Sequence, residues 1–249
     1  MTVPFSGILQ CEQMSQTTTI TFFRFERWRD RAWALAMMGG ARMALAQVPD
    51  LQFWKLCGSG TGEGFTPVPN TAVYAILCTW PDADTARHRL DTARIFARYR
   101  ARATEHWTVY LSTHSTRGAW SGQQPFSPVS EPVSGPIAAL TRATIKPRIL
   151  RRFWGRVPDI SRMIGSDPNV IFKIGIGEVP MLHQVTFSIW PGAQEMAAFA
   201  RTNGPHAEAI RAVREGAWFR EELYARFAIL DDSGTWGGVS PLSRREPAT

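Results

Sequence analysis

Two stretches of this chain follow one plan. Residues 79–111, TWPDADTARHRLDTARIFARYRARATEHWTVYL, and residues 188–230, which open SIWPGAQEMAAFAR, each run from an apolar strand through Trp-Pro into a helix and back to a strand. Trp80-Pro81 and Trp190-Pro191 are the anchors. Upstream of each lies a second echo, FWKLCGSGTGE from Phe53 and IFKIGIGE from Ile171, in which an aromatic, a lysine and an aliphatic precede glycines. Self-similarity over so long a stretch marks duplication of a whole supersecondary unit. The fold must therefore hold two like halves in one chain.

Alternation and helical spacing fill in each half. In the first, TITFFRF from Thr19 reads as a strand, the segment from Arg29 as a helix with Trp33, Met37 and Ala41 near helical spacing, and LQFWKLCG from Leu51 as a strand. After a glycine loop come the strand TAVYAILCTW, an arginine-rich helix from Asp82 and the strand HWTVYLST. The second half offers IAALTRATI, a helix from Lys146 to Met163 with a break at Pro158, NVIFKIGIG, HQVTFSIW, a long helical stretch and finally YARFAIL. Both halves are βαββαβ, the order of a ferredoxin-like antiparallel sheet with helices on one face. The bare sheet face needs cover, and two units can supply it to each other. The expected fold is α+β, two ferredoxin-like units packed sheet to sheet as a pseudo-dimeric α/β barrel. The expected organisation is a loose extension at 1–18, a first unit at 19–120, a Ser/Pro/Gly-rich linker at 121–136, a second unit at 137–232 and a tail at 233–249.

An apolar fraction of 44% supports a substantial core. Three cysteines, Cys11, Cys57 and Cys78, leave one over in any disulfide scheme and lack C-x-x-C spacing, which indicates a reducing cytoplasm and no structural zinc. No apolar run is long enough to span a membrane, and the first residues lack the basic start and apolar run of a signal peptide. The net charge is +7. Arginines cluster on expected helices, Arg94, Arg98, Arg100 and Arg102 on one and Arg148, Arg151, Arg152 and Arg156 on another. Such faces are solvated, or meet an acidic protein or an anionic membrane. No helix-turn-helix, zinc-finger or RNP signature accompanies them, so nucleic acid is not the expected partner.

The glycine run GSGTGEG at 58–64 is followed by a strand and lacks the Gly-Lys-Ser/Thr ending of a P-loop, so it reads as a strained connection. No nucleophile elbow, Ser-His-Asp order or carboxylate pair supports a hydrolase. Glu178, Glu208, Glu221 and Glu222 read as strand-end or helix-surface charges, and Cys57 as a small buried residue. His206 follows Gly204-Pro205, and proline suits a first helical turn, so a helix should continue through Ala207, Ile210 and Val213. A histidine with no companion at metal spacing is ordinarily a core or surface residue. Haem changes that, because the porphyrin supplies four nitrogens and one axial histidine suffices. Trp190, Phe199, Trp218 and Phe219 can wall such a macrocycle, and Arg201, Arg211 and Arg214 can pair with its propionates. The same residues serve equally as helix-to-sheet packing and solvated charge. His183, His88, His106 and His114 are weaker candidates as ligands.

The blocks TFFRFERWRDRAWALAMMG, FWKLCGSGTGEGFTPVPNTAVYAILCTWPD and GPHAEAIRAVREGAWFREELYARF resemble the spheroidene monooxygenase family of purple-bacterial carotenoid biosynthesis, over residues 18–243. The resemblance implies haem, and a fold like the dimeric α/β barrels of chlorite dismutase and related haem proteins. Those proteins place an axial histidine on a helix of the second unit, the position of His206 here. It further implies oxygenation of an acyclic carotenoid at C-2, beside the methoxylated end group, with O2 and electrons from reduced ferredoxin. Two hydroxylations at one carbon would give a gem-diol that loses water to a 2-oxo carotenoid such as spheroidenone. Lys55, Lys173 and Arg24 are the candidate distal groups, and an aromatic-rich barrel would supply an apolar tunnel for the polyene. The basic helices would dock on ferredoxin or, peripherally, on lipid headgroups. The chain departs from the family's pattern in its first seventeen or so residues, where Met14 is an alternative start, and in the tail RREPAT. Two other readings compete: a cofactor-free monooxygenase of the antibiotic-biosynthesis type, and a non-enzymatic carotenoid- or haem-binding barrel.

Overall fold

The computed structural model describes residues 15–243 apart from 63, 65, 131–133, 156–169, 202–217 and the side chains of 199–201. The first half contains β1 (Thr17–Arg24), α1 (Trp28–Ala46), β2 (Phe53–Gly60), β3 (Pro69–Trp80), α2 (Ala83–Thr92), α3 (Arg94–Arg100) and β4 (Glu105–Gly118). The second contains β5 (Ile137–Ile145), a 3-10 turn (Pro147–Ile149), a short helix α4 at 150–155, β6 (Phe172–Gly177), β7 (His183–Trp190), α5 (Ala193–Arg201) and β8 (Phe219–Gly234).

The strands close into an antiparallel barrel in the order β1-β3-β2-β6-β7-β5-β8-β4. Each half contributes one continuous arc, β4-β1-β3-β2 and β8-β5-β7-β6. One seam is long, β4 on β8 from Trp107↔Gly234 to Gly118↔Leu223, and the other is only Gly58↔Gly177 and Ser59↔Ile176 between β2 and β6. The two sheets are thus joined edge to edge, fully at one seam and by two residue pairs at the other.

Inward positions carry Ile20, Phe22, Trp107, Val109, Leu111, Leu140, Phe187 and Phe227, all fully or nearly fully buried. An eight-stranded barrel is only wide enough for its own side chains. Phe22 stacks on Trp107 at 5.6 Å, and Phe172 meets Trp107 edge-on at 4.7 Å. Each such side chain stabilises the fold by roughly 1.5–3 kcal/mol on leaving water. The interior is therefore a packed core, where the sequence suggested a tunnel. A second core lies outside the first arc, where Phe23, Tyr74, Ile76, Cys78 and Trp80 meet Ala34, Met37, Ala41 and Leu45 of α1 and Leu90, Phe96 and Tyr99 of α2 and α3.

Three elements differ from expectation. The arginine-rich helix is two helices, capped at its start by Asp82 accepting from Thr85 N at 2.7 Å and broken at Ala93, whose backbone is extended. The break resets the helical phase, since the buried Ala86 and Leu90 of α2 are out of step with Ile95, Phe96 and Tyr99 of α3. β8 begins at Phe219, so FREEL, expected as the end of a helix, is strand. Pairing with β4 on one side and β5 on the other overrides its helical composition. The expected linker and tail also join the barrel: Phe126 sits edge-on to Phe227 at 5.1 Å, and Trp236 lies 5.9 Å from Phe22. Beyond α4 the expected helix to Met163 lies outside the described residues.

Candidate functional site

Thr17 pairs with Trp80 in the first half as Ile137 pairs with Trp190 in the second, so the two Trp-Pro anchors hold the same place in each sheet. Aligned on them, the outward-facing Phe23, Tyr74, Ile76, Cys78 and Leu56 correspond to Ala143, Gln184, Thr186, Ser188 and Gly175. At these five positions the first outer face carries large side chains beneath three helices, and the second carries small or polar ones. The alignment also shows that the FWK and IFK echoes are displaced by one residue. Lys173 takes the place of Trp54, and Lys55 that of Ile174. With a period of two, that displacement turns Lys55 into the barrel and Lys173 outward.

Around the second outer face, Trp190 packs with Ile137 and Met196 of α5 and donates from Nε1 to Ser188 Oγ at 2.9 Å. Trp218 is buried under the Arg152 guanidinium, 5.0 Å from its ring, and Phe219, paired with Ile145 beside a bulge, faces Phe153 at 6.2 Å. Ile137 and Ile145 are the two ends of β5, about 26 Å apart at strand rise. Trp218 and Phe219 therefore come together with α4 at one end of this face, and Trp190 stands at the other. His206, Arg211 and Arg214 lie outside the described residues, as do the side chains of Phe199 and Arg201.

A cavity of about 200 Å³ opens at the short seam, between α1 and α4, lined in part by Leu35, Gly58, Tyr74, Trp154, Gly177 and Gln184. Trp154 is fixed there by donating from Nε1 to Met181 O at 3.1 Å. The glycine run supplies one wall. Gly64 has φ +88°, and a Cβ on it would fall 1.8 Å from Gly175 O, so the loop from the first half lies directly against β6 of the second. This is close backbone packing rather than a phosphate cradle.

The cavity's polar edge is Glu178 and His183, which belong to a charged cluster closing one end of the barrel. Glu178 is its centre: Lys55 Nζ lies 3.1 Å from Oε1, Trp120 Nε1 donates to Oε2 at 2.7 Å, and Arg142 Nη2 and His183 Nδ1 stand 3.7 and 3.4 Å from Oε2. The buried Arg142 also donates from Nη1 to Glu221, and its guanidinium lies 5.7 Å from the centre of the Trp120 ring. Glu221 accepts from Ser121 N at 2.9 Å and Gly122 N at 2.7 Å. Burial works to raise the Glu221 carboxyl, but these two N–H groups and Arg142 outweigh it and hold the carboxyl below the usual carboxylate range. Burial, helped by Arg142 and Lys55, holds His183 below the usual histidine range against the pull of Glu178, so its imidazole is neutral at pH 7. Glu178 and Glu221 are thus enclosed charge partners, not the surface charges that their sequence context suggested. Arg142, inside the apolar strand IAALTRATI, was the overlooked signal. A charged residue at an inward position of a period-two strand demands a buried partner. Cys57 points into the core, and burial pushes its thiol far up, which disfavours the thiolate needed of a metal ligand.

The opposite barrel end carries the same device. Arg24 Nη1 lies 3.2 Å from Glu105 Oε2, its guanidinium stacks over Trp236 at 4.4 Å, and Gly238 N donates to Glu105 Oε1 at 2.7 Å. Gly118 and Gly234, at φ +98° and +86°, make the equivalent turns into Trp120 and Trp236. A Cβ on either would lie within 2.1 Å of Glu222 O or 2.3 Å of His106 O.

A closed α+β barrel of this kind is shared with solved aldoxime dehydratases. One aligns with a TM-score of 0.60 at 11% identity over 88% of this chain and 83% of its own, and another, in complex with butyraldoxime, with 0.58 at 9% over 88% and 81%. At that identity the likeness is one of fold. No family model matches the chain. Curated relatives are far closer in sequence. Spheroidene monooxygenase of Cereibacter sphaeroides is 51% identical over 230 residues, 91% of this chain and 71% of the relative. That of Rhodobacter capsulatus is 48% identical over 91% and 95%, and that of Rubrivivax gelatinosus 34% over 84% and 80%. The chain belongs to the spheroidene monooxygenase family.

Proposed function

We propose that the protein is a monooxygenase of acyclic carotenoids that oxygenates C-2 on the way to a 2-oxo product such as spheroidenone, using O2, haem and electrons from reduced ferredoxin. Identity near one half to two spheroidene monooxygenases, across nine-tenths of the chain, is the observation that carries the reading. The barrel, with one βαββαβ strand order in each arc, is on this reading a fused pair of ferredoxin-like units.

The contrast between the outer faces supports the place for haem. Gly175, Ala143, Thr186 and Ser188 project little where the first half projects Leu56, Phe23, Ile76 and Cys78, which supports a flat macrocycle lying against this part of the second sheet. His206 belongs to the segment that joins α5 to Trp218, both of which adjoin this face, and is the residue that would hold the haem iron. Arg201 and Arg152 are the proposed propionate partners. Haem, when bound, supplies the oxygen activation that no amino-acid side chain provides. The chain's own part is to hold the carbon to be oxidised and to keep water out.

Gly177, Gln184 and Trp154 line the cavity and also adjoin the second outer face, so a chain end held there lies next to the proposed haem. At about 200 Å³ the cavity is smaller than the roughly 300 Å³ of an ordinary small-molecule site, and it takes one end group rather than a whole polyene. His183 stands at the polar edge of the cavity with Nδ1 turned to Glu178, and the apolar walls exclude water from the carbons held beside it.

The test is the optical spectrum of haem-supplied protein, wild type beside His206→Ala, before and after dithionite, with conversion of spheroidene followed in the same samples. A Soret band lost or shifted in the variant, with loss of conversion, upholds the reading. An unchanged band moves the ligand away from His206. Conversion with no Soret band moves the chemistry to cofactor-free oxygenation, and pigment binding without O2-dependent conversion reduces the protein to a carrier.

A further inference from the structure

α1 buries one face and leaves the other apolar. Ala34, Met37, Ala41 and Leu45 pack on the barrel, while Trp28, Ala32, Leu35, Ala36, Gly39 and Met43 form an exposed stripe at helical spacing. From Ala32 to Ala41 the helix has no charged residue. A helix that is apolar all round is normally covered on every side. Trp28, Leu35 and Met43 are instead 73%, 57% and 76% exposed. Val68, Val179 and Met181 are exposed as well, and with Leu35 they stand on or beside the rim of the seam cavity. Met181 has φ +66° directly after Pro180, a position where glycine would be free of strain, and its side chain is 44% exposed at the cavity rim.

Charge frames this patch. Arg27, Arg29 and Arg42 are exposed along α1, and Arg98 and Arg102 reach over the Trp33 ring at 5.9 and 4.6 Å. Beyond the cavity, Arg148, Arg151 and Arg152 are exposed beside Trp154. The acidic residues at this end of α1 are Glu26 and Asp30. We propose that the exposed face of α1 and the cavity rim form a docking surface for an anionic lipid bilayer, with α1 lying in the interface and the cavity mouth turned to the acyl chains. Apolar residues ringed by arginines match the layering of acyl chains beneath anionic headgroups. A second copy of the chain is the poorer occupant, because pairing α1 with α1 would bring arginine rings of the same sign together. No helix among the described residues is long and apolar enough to cross a membrane, so the contact is one of surface. The inference shares with the proposed function only a lipid-soluble substrate delivered from the bilayer.

The experiment is co-sedimentation of the full chain with phosphatidylcholine vesicles, with and without phosphatidylglycerol. Binding to the anionic vesicles alone, weakened by salt, is expected. Trp28→Glu/Met43→Glu should lower the bound fraction by about tenfold, with an unchanged circular dichroism spectrum, since neither side chain is packed. Arg98→Ser/Arg102→Ser should lower it independently. Wild type that stays in the supernatant overturns the proposal, as does a double glutamate variant that still sediments. A lipid-free dimer that this variant dissociates assigns the face to a second copy and also overturns it. The two proposals separate cleanly: if docking is wrong, detergent-solubilised carotenoid is still converted, and if the chemistry is wrong, vesicles are still bound.

Discussion

The outer faces of the two arcs share one pattern and carry opposite kinds of side chain at matching positions. On the first, Phe23, Tyr74, Ile76 and Trp80 meet the helices in a dry layer. On the second, Ala143, Gln184, Thr186 and Ser188 stand in the positions of Phe23, Tyr74, Ile76 and Cys78. On the proposed reading the first half is filled with packing, and the second keeps room for a ligand. A duplicated fold can separate the two tasks in a way a single unit cannot.

The largest expected effect comes from erasing that difference. Ala143→Phe with Thr186→Ile rebuilds the first face on the second and should abolish haem uptake, read as absence of a Soret band on titration, while the barrel stays folded by circular dichroism. Retained haem affinity in that variant would place the cofactor elsewhere. The converse change tests the other arc: Phe23→Ala should cost roughly 3–5 kcal/mol in urea unfolding, whereas Ala143→Gly at the matching strand position should cost about 1 kcal/mol or less. Equal costs would deny that the first face is the structural one. The two charged caps sharpen the comparison further. Arg142→Met leaves Glu178 and Glu221 short of a buried cation and should cost about 3–5 kcal/mol, while Arg24→Met, at a side chain 35% exposed, should cost about 1 kcal/mol or less. Smallest is the pH effect. The folded-state pKa of His183 lies below its unfolded value, so the unfolded chain binds the extra proton first, and stability is present above the unfolded histidine pKa and lost as pH falls through the folded one. His106 is shifted the same way, mainly by burial. Stability measured from pH 7 downward should therefore decline below about 6.5, with a shallower decline in His183→Asn.

The strands were legible because they are apolar, short and separated by Gly and Pro, and the Trp-Pro anchors made the duplication visible. The side on which each residue falls was less so. FWK and IFK look alike, yet one residue of displacement sends Lys55 inward and Lys173 outward, and only the pairing register records it. The barrel caps were also written in the chain, as RGAWSG at 117–122 and SGTWGG at 233–238. Both lie in stretches too poor in apolar residues to read as anything but connector and tail. FREEL carries helix-favouring glutamates, and one of them, Glu221, is held by a guanidinium three strands earlier in the chain, a long-range contact that no local pattern announces.

The caps have a consequence for the order in which the chain can assemble. Trp120, which leaves the first arc, bonds Glu178 of the second, and Trp236, which leaves the second, lies over Arg24 of the first. β4, the last strand of the first arc, finds its outer neighbour in β8, the last strand among the described residues. A nascent chain emerging from the ribosome can therefore form the first arc but not finish it, and its barrel core stays open to water until the final strand is made. Contacts so distant in sequence slow folding. Closure should then be a single late event, and an isolated first half should need a chaperone or a matching second half to stay in solution.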